Sequence, residues 1–529
     1  MKSLMKKVFA AAAAIATVFG LAATTVATAN AAGGNATLTV STTDTKFAGK
    51  AVNAYKMFSA TVSSDGGAVS YTLNDAWKPF FKNSVGLTDV TDENVNDKAN
   101  DYVSKLKDST LVAFATKASN WAQTKANNIT ADATATVSAD ASNGKYTATF
   151  TGLGYGYYVV AVPGATLANA KSQYATLVSV HSTKVDADIK GDLPTVDKKV
   201  QVDGTGKDAT DAKIGDTLTF TLTSTIPDMS AYDTYTFNFK DTLSKGLTFG
   251  QVKSVKVENV TLTENTDYTV TTPTASNNNT LTVAMKDFKT KQQANAGKKI
   301  TVTYTATLNE NAVVGGAGNV NSAKIQYSNN PSTNGTGESE PSKVRVFTYG
   351  FTVDKYTGDQ YTDAATRLAG AKFTLAPKNG DPMSFVQVNA GSATANAVYR
   401  VAKAGETGTT TITTPENGKV DFQGLKNGEY TLTETEAPAG YNKLASAIGV
   451  KVDGRNDGTD NTDATVTITY NNDNGSVYGE HASNGVIPVR NKSGVTLPGT
   501  GGMGTIAFTV IGVLVIALGV AWTLKRKNA

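Results

Sequence analysis

Three residue types that can react with one another, a lysine, a carboxylic acid and an asparagine, fall twice in this chain where strand geometry turns them inward. Side chains alternate between the two faces of a strand, so residues two apart share an environment. By that rule Phe351, Val353 and Lys355 lie together, as do Tyr430, Leu432 and Glu434, and Ile487, Val489 and Asn491. A second set groups Val196, Lys198 and Val200 (leaving Lys199 outward), then Tyr235, Phe237, Phe239 and Asp241, then Asn321, Ala323, Ile325 and Tyr327. Asn319 has the parity of Asn321 and is a second candidate.

Taking an unpaired ammonium or carboxylate out of water costs several kcal/mol, so chance placement of this trio in two cores is disfavoured. Desolvation disfavours the charged forms, lowering a lysine pKa and raising a carboxyl pKa. A neutral amine held against the asparagine side-chain carbonyl can attack the amide carbon while the protonated acid donates to the oxygen, and ammonia leaves. The product is an internal isopeptide bond joining the first and last strands of a module. The same parity also fits a hydrogen-bonded or salt-bridged triad at a sheet rim, with the lysine reaching out to water. Parity alone leaves both readings open.

The elements that must position these residues are mostly strands. Glycine, threonine, valine, asparagine and tyrosine are plentiful, and alternating patterns recur between turn residues, which predicts a mainly β protein of tandem immunoglobulin-like β-sandwich domains in an elongated array. The segment 93–127, carrying Val103, Leu106, Leu111, Val112, Phe114 and Trp121, reads as helical with breaks and adds helix to the first domain. The divisions expected are 1–31, 32–190, 191–345, 346–494 and 495–529. A Ser/Gly/Glu/Pro-rich piece at 331–343 reads as a loop or linker. Thr195-Val196-Asp197-Lys198 and Thr352-Val353-Asp354-Lys355 open the second and third units with the same four letters. Phe150-Thr-Gly152-Leu153-x-x-Gly156-x-Tyr158 matches Phe422-Gln-Gly424-Leu425-x-x-Gly428-x-Tyr430, so duplicated modules are expected. That alignment puts Val162 where Glu434 would be, and the first unit is expected to form no cross-link and to be softer.

The 529 residues include no cysteine, which excludes disulfides and thiol chemistry. The two histidines, His181 and His481, are too few and too far apart for a metal cluster and read as surface residues; no metal and no cofactor is expected. Lys2, Lys6 and Lys7 precede an apolar run at 8–26 and the small residues Ala27-Thr28-Ala29, the pattern of a secretory signal peptide cleaved between Ala29 and Ala32. At the other end Leu497-Pro498-Gly499-Thr500-Gly501 precedes an apolar run at 505–524 and then Lys525-Arg526-Lys527. Twenty such residues at 1.5 Å rise span about 30 Å, enough to cross a bilayer with the basic cluster held inside. Without the six basic residues of these two ends, the 49 of the whole chain fall to 43 against 45 acidic ones, so nothing in the charge points to nucleic acid.

Leu497-Pro498-Gly499-Thr500-Gly501, with its apolar run and basic tail, resembles the LPxTG sorting signal of Gram-positive surface proteins, in which a sortase cleaves between threonine and glycine, here Thr500 and Gly501. Tyr430-Thr-Leu432-Thr-Glu434-Thr435-Glu436-Ala437-Pro438-Ala439-Gly440-Tyr441 resembles the E-box of pilins and collagen-adhesin B-type modules, whose glutamate is the acid of isopeptide formation; it maps onto Glu434. Leu368-Ala369-Gly370-Ala371-Lys372-Phe373 looks like the GAxF strand of those modules. The middle unit resembles the isopeptide-forming fimbrial domain through its Lys-x-Val strand, Asp241-Thr-Leu-Ser-Lys-Gly-Leu247, and Asn321-Ser-Ala323 through Tyr327-Ser-Asn, although it has no E-box. The chain thus resembles the major shaft pilins of sortase-assembled fimbriae over nearly all of its mature length. That resemblance decides for Lys355–Asn491 and Lys198–Asn321 bonds, with Glu434 and Asp241 acting in intramolecular bond formation only.

The family also joins subunits head to tail, passing the cleaved threonine to a lysine near the end of the next subunit's first domain. Lys190, in Ile189-Lys190-Gly191-Asp192-Leu193-Pro194-Thr195, occupies that place, without the usual Tyr-Pro-Lys-Asn signature; Lys184 is the runner-up. The resemblance implies a cell-wall location, a pilin-specific sortase, identical subunits, tip or accessory pilins, peptidoglycan and, if the shaft has one, a host-surface receptor as partners. It implies no turnover of an external substrate, hence not an enzyme. The alternative reading is a single wall-anchored adhesin binding a host or matrix ligand. An exported hydrolase is the weakest reading, since carboxylates such as Asp381 and Glu416 sit in turn-like stretches where solvated charge is the default.

Overall fold

The computed structural model describes residues 35–63, 68–127, 129–140, 144–362, 365–455, 465–471, 485–494 and 504–527. The expected signal peptide, Leu497 to Gly501 and His481 lie outside the described residues. The chain is mainly β, with about 48% of residues in strands and 15% in helices. Its six sheets face one another in three successive pairs.

In the first pair, Ala36–Thr42 lies between Lys145–Leu153 and Lys184–Asp188, and it faces a sheet centred on Ala51–Val62 and Gly156–Thr166. The strand Gly156–Thr166 is buried on both faces. Tyr158, Val160 and Val162 enter the core between the sheets, while Tyr157, Val159 and Ala161 share a second core with Phe80, Phe81, Val103 and Phe114 of three helices laid on the outside. Those helices, Lys78–Asn83, Val95–Ser104 and Asp108–Gln123, fulfil the expectation of broken helix at 93–127 and begin earlier than it. An alternating strand surrounded on both sides loses its polar face, which is why Gly156–Thr166 reads as a continuous apolar run.

The middle pair sets Asp197–Val202, Thr217–Thr225, Lys299–Leu308 and Leu247–Val257 against Ser342–Phe347, Asn319–Ser328, Phe237–Leu243 and Thr280–Met285. The expected linker at 331–343 is instead part of the sandwich. Thr336–Glu338 pairs with Gln326 to Ser328, and Ser342–Phe347 pairs with Asn319 to Ala323. Serine and glycine there serve strand ends and tight turns, so their abundance mimicked a linker. One residue, Thr348, separates Phe347 from the first strand of the last pair, Tyr349–Thr357. Thr348 is buried and its hydroxyl donates to the Leu425 carbonyl at 3.0 Å.

In the last pair Tyr349–Thr357 lies between Lys419–Leu425 and Val486–Arg490, facing Lys372–Pro377, Gly428–Glu436 and Ile448–Arg455. The repeated Phe-x-Gly-Leu-x-x-Gly-x-Tyr motif has the same job twice. Gly152 and Gly424 take φ of 74° and 85°, where a side chain is strained. Tyr158 then donates to the Gly154 carbonyl at 2.6 Å, and Tyr430 to the Lys426 carbonyl at 2.7 Å. A buried tyrosine thus closes each corner by satisfying a turn carbonyl that would otherwise be orphaned.

Candidate functional site

In the middle sandwich Lys198 and Tyr304 project from one sheet, and Asp241 and Asn321 from the other. All four are fully buried. Lys198 Nζ donates to Asp241 Oδ2 and, at 2.8 Å, to the Tyr304 hydroxyl. That hydroxyl donates to Asp241 Oδ2 at 2.6 Å and accepts from Asn321 Nδ2 at 2.6 Å. Lys198 Nζ also lies 5.1 Å from the centroids of the Phe220 and Tyr304 rings. Burial lowers the Lys198 pKa to about 8, with the attraction of Asp241 opposing it. Asn319, the second candidate, is buried but turned to another task. Its amide group donates to the carbonyls of Val313 and Val346 and accepts from Val313 N, bracing a loop. Asn321 lies on the strand Asn319–Ser328, which is not the last of its unit. A Lys198–Asn321 bond would therefore tie the two facing sheets, not the first and last strands as expected.

In the last sandwich the lysine and asparagine share a sheet. The strands Tyr349–Thr357 and Val486–Arg490 run parallel, pairing Lys355 with Val489, and Asn491 follows directly, its N–H donating to the Tyr356 carbonyl at 3.0 Å. Glu434 comes from the facing sheet. Lys355 Nζ is 3.5 Å from Glu434 Oε1 and donates to the Val489 carbonyl at 3.2 Å. Glu434 Oε2 accepts from Asn491 Nδ2 at 3.0 Å and from Leu444 N at 2.8 Å. The same Asn491 Nδ2 donates to the Asn442 carbonyl at 2.7 Å. Lys355 and Asn491 have 0% and 1% exposure, and burial lowers the lysine to about 8 against the attraction of Glu434. No water reaches these amines, so the rim reading with a lysine in solvent does not describe either trio.

Both trios leave the carboxamide oxygen without a donor, Asn321 Oδ1 and Asn491 Oδ1, and Asp241 Oδ1 is likewise orphaned, while Glu434 Oε1 has only Lys355 Nζ at 3.5 Å. Each such orphan costs about 1–3 kcal/mol.

Pairing registers carry the comparison into the first sandwich. Leu38 pairs with Phe150 as Phe351 does with Phe422, and Val40 with Ala187 as Val353 does with Ile487. The positions of Lys355 and Asn491 are then held by Thr42 and Gly191, and that of Glu434 by the buried Val162. All three members are absent, two more than the motif alignment reached. Gly191 is pressed against the Tyr174 ring, where an added Cβ would come within 2.7 Å of Cγ. Lys190, beside it, is exposed, and so is Lys184 at the start of its strand. The segment around Lys190 is held firmly, Ile189 N donating to the Ser41 carbonyl at 2.8 Å and Asp192 exchanging backbone hydrogen bonds with Thr166.

Sequence reasoning missed one participant, Tyr304, and misjudged the burial of one residue beside the last trio, Asp354. Tyr304 alternates with Val302 and Ala306 as an ordinary core residue, and only its hydroxyl's three polar partners mark it. Asp354 should face outward by parity, yet it is fully buried, because the loop after it returns Tyr361, whose hydroxyl donates to Oδ2 at 2.7 Å, and Arg367, whose Nε is 2.7 Å from Oδ1.

Residues 214–331 match the model of the Gram-positive pilin backbone subunit 2, Cna-B-like domain; 359–470 match the SpaA prealbumin-like fold domain; and 490–529 match the LPXTG cell wall anchor motif. The chain carries pilin-family domains. Its LPXTG anchor marks a cell-wall surface protein of a Gram-positive bacterium. Over 265 residues it is 25% identical to the trypsin-resistant surface T6 protein of Streptococcus pyogenes, a match spanning 48% of this chain and 44% of that relative's length. The T6 backbone pilin structure from S. pyogenes aligns over 87% of this chain and 99% of its own at 17% identity, with a TM-score of 0.46. The major pilin SpaD of Corynebacterium diphtheriae aligns over 77% and 88% at 19% identity, with a TM-score of 0.39.

The pilin domains are followed by one helix, Gly504–Lys527. Over the described residues alone no helix is long and apolar enough to cross a membrane. Side chains of the run 505–524 lie in part outside them. Those described from Val510 to Leu524 include ten large apolar residues more than half exposed.

Proposed function

We propose that this chain is the structural subunit of a covalently polymerised cell-surface pilus, divided at 1–31, 32–190, 191–345, 346–494 and 495–529, and hardened by self-formed Lys198–Asn321 and Lys355–Asn491 bonds. The observation that carries the proposal is the recurrence of a fully buried lysine, acid and asparagine, each with an orphaned carboxamide oxygen, in two different strand arrangements. A structural ion pair has no use for an unpaired carboxamide oxygen. In bond formation that oxygen takes the proton of the carboxyl group while the amine adds to the carbon bearing it.

Burial that holds each lysine near 8 makes it easier for the ammonium to hand its proton to the carboxylate beside it, giving the neutral amine and carboxylic acid needed for a reaction that happens once per molecule. Nζ of Lys355 attacks Cγ of Asn491 as Glu434 gives its proton to the oxygen; Glu434 then takes a proton from Nζ and passes it to the departing nitrogen, and as ammonia leaves the proton on the oxygen returns to Glu434. One neutral amide replaces a buried amine and a primary carboxamide, and no charge is left to desolvate. In a protein without cysteine, this gives the constraint that a disulfide gives elsewhere.

Polymerisation uses the other end of the molecule. The exposed apolar side chains of the C-terminal helix suit lipid, and they hold the chain at the membrane while a pilin-specific sortase cuts between Thr500 and Gly501. Lys190 of the next subunit accepts the threonine carbonyl; it is exposed on a braced segment that cannot retreat from the enzyme. Head-to-tail subunits, tip or accessory pilins and peptidoglycan complete the assembly. Boiling a cell-wall extract in SDS tests this: a ladder of covalent multimers is expected, and a single band would leave a lone anchored adhesin.

A further inference from the structure

The two trios differ by one methylene, and Tyr304 stands where the difference falls. In the last sandwich the glutamate reaches the asparagine directly, Glu434 Oε2 accepting from Asn491 Nδ2 at 3.0 Å. In the middle sandwich the shorter Asp241 makes no hydrogen bond to Asn321, and the Tyr304 hydroxyl bridges them, accepting from Asn321 Nδ2 at 2.6 Å and donating to Asp241 Oδ2 at 2.6 Å. The same hydroxyl receives Lys198 Nζ at 2.8 Å. It touches the nucleophile, the acid and the leaving nitrogen at once. No tyrosine hydroxyl contacts the trio of the last sandwich among the described residues.

From this geometry we infer that Tyr304 is a catalytic residue of Lys198–Asn321 bond formation, a proton relay that replaces the reach of a glutamate; the inference rests on the bond-forming reading above. The protons balance as follows. The pair begins as neutral amine and carboxylic acid, the ammonium having given one proton to Asp241. Nζ adds to Cγ of Asn321, and the Tyr304 hydroxyl gives its proton to Oδ1 while taking that of Asp241. Nζ, now positively charged in the tetrahedral adduct, gives a proton to the Tyr304 oxygen as the phenolic proton moves to Asp241 Oδ2. The hydroxyl then donates its new proton to Nδ2 and takes the proton of the Oδ1 hydroxyl in its place. The carbonyl re-forms, the Cγ–Nδ2 bond breaks, and ammonia departs. Tyrosine and aspartic acid end as they began. Because the phenol only exchanges one proton for another, it never needs to exist as a buried phenolate.

The test is intact mass and peptide mapping of the full mature chain, in the wild type, in Tyr304→Phe and in Tyr304→Phe combined with Asp241→Glu. The wild type should lose one ammonia at each trio. Tyr304→Phe should slow the loss at the middle trio by about a hundredfold or more, the range of a general acid or base, and leave the Lys355–Asn491 bond complete. The added methylene of the double variant should restore the middle bond by letting the acid touch Asn321 directly. Middle bonds that form in Tyr304→Phe as fast as in the wild type overturn the role of Tyr304 and leave the trio reading intact. If Tyr304→Phe unfolds the unit, the double variant decides: a bond supports the relay, and its absence overturns it. A wild-type middle unit with its full mass overturns the bond-forming reading itself.

Discussion

Asn491 presents its side-chain nitrogen to Glu434 across the two sheets of the last sandwich, Nδ2 to Oε2 at 3.0 Å, while the carboxamide oxygen meets no donor. In the proposed reaction the leaving group is thus held by the acid, and the oxygen that takes a proton is free to do so. Replacing Glu434 by glutamine keeps the volume and removes the ionisable proton. We predict that Glu434→Gln leaves the last unit one ammonia heavier than the wild-type unit. Loss of the cross-link, which closes a loop on the order of a hundred residues, should lower its stability by about 4–5 kcal/mol on the disulfide scale. Denaturant midpoints of the two forms measure this.

Asn491→Ala traps the unreacted amine and exposes its titration. Burial holds Lys355 at about 8, below its ordinary 10.5, so the unfolded chain binds more protons between those values and stability rises with pH through that window. The burial cost is fully present below pH 8 and relieved above about 10.5, a difference of roughly 3 kcal/mol. Urea unfolding at several pH values should show this rise in Asn491→Ala, and the same unit of the wild type, with no free amine, should lack it. For the reacting chain, bond formation should hold level below pH 8 and slow above it, because the amine and acid together need the proton that titration removes.

Much of this was legible in residue parity. Lys355, Glu434, Asn491, Lys198, Asp241 and Asn321 were all picked out because strand alternation would bury them, and the structure buries all six. What parity could not supply was the pairing of strands. Nothing in the local pattern shows that Lys198 faces its asparagine across the sandwich while Lys355 shares a sheet with its own. Asp354 defied alternation because a loop distant in the pattern returned a cation and a phenol to it. Tyr304 was hidden by being an aromatic in a core strand, where a ring explains itself and a hydroxyl does not.

The first sandwich has Thr42, Val162 and Gly191 in place of the reactive trio, so it keeps its full sequence mass in our account. It should therefore open first. Hydrogen exchange of the mature chain should show lower protection in its strands than in the two cross-linked units. Equal protection in all three would mean that the helices laid on its outer sheet compensate fully for the missing bond.

Lys190 and Lys184 are both exposed, but only Lys190 lies on the braced exit from the sheet next to Gly191. Lys190→Arg keeps the charge and removes the nucleophilic amine. It should abolish the covalent ladder in wall extracts, whereas Lys184→Arg should leave it unchanged. A ladder that survives Lys190→Arg and fails with Lys184→Arg would exchange the two assignments.

The most direct test of the central claim is the intact mass of the recombinant mature chain, followed by mapping of the linked peptides. The account predicts a deficit of two ammonias, one linking Lys198 to Asn321 and one linking Lys355 to Asn491. A mass equal to that of the sequence would contradict it, leaving two buried ion pairs in a wall-anchored protein.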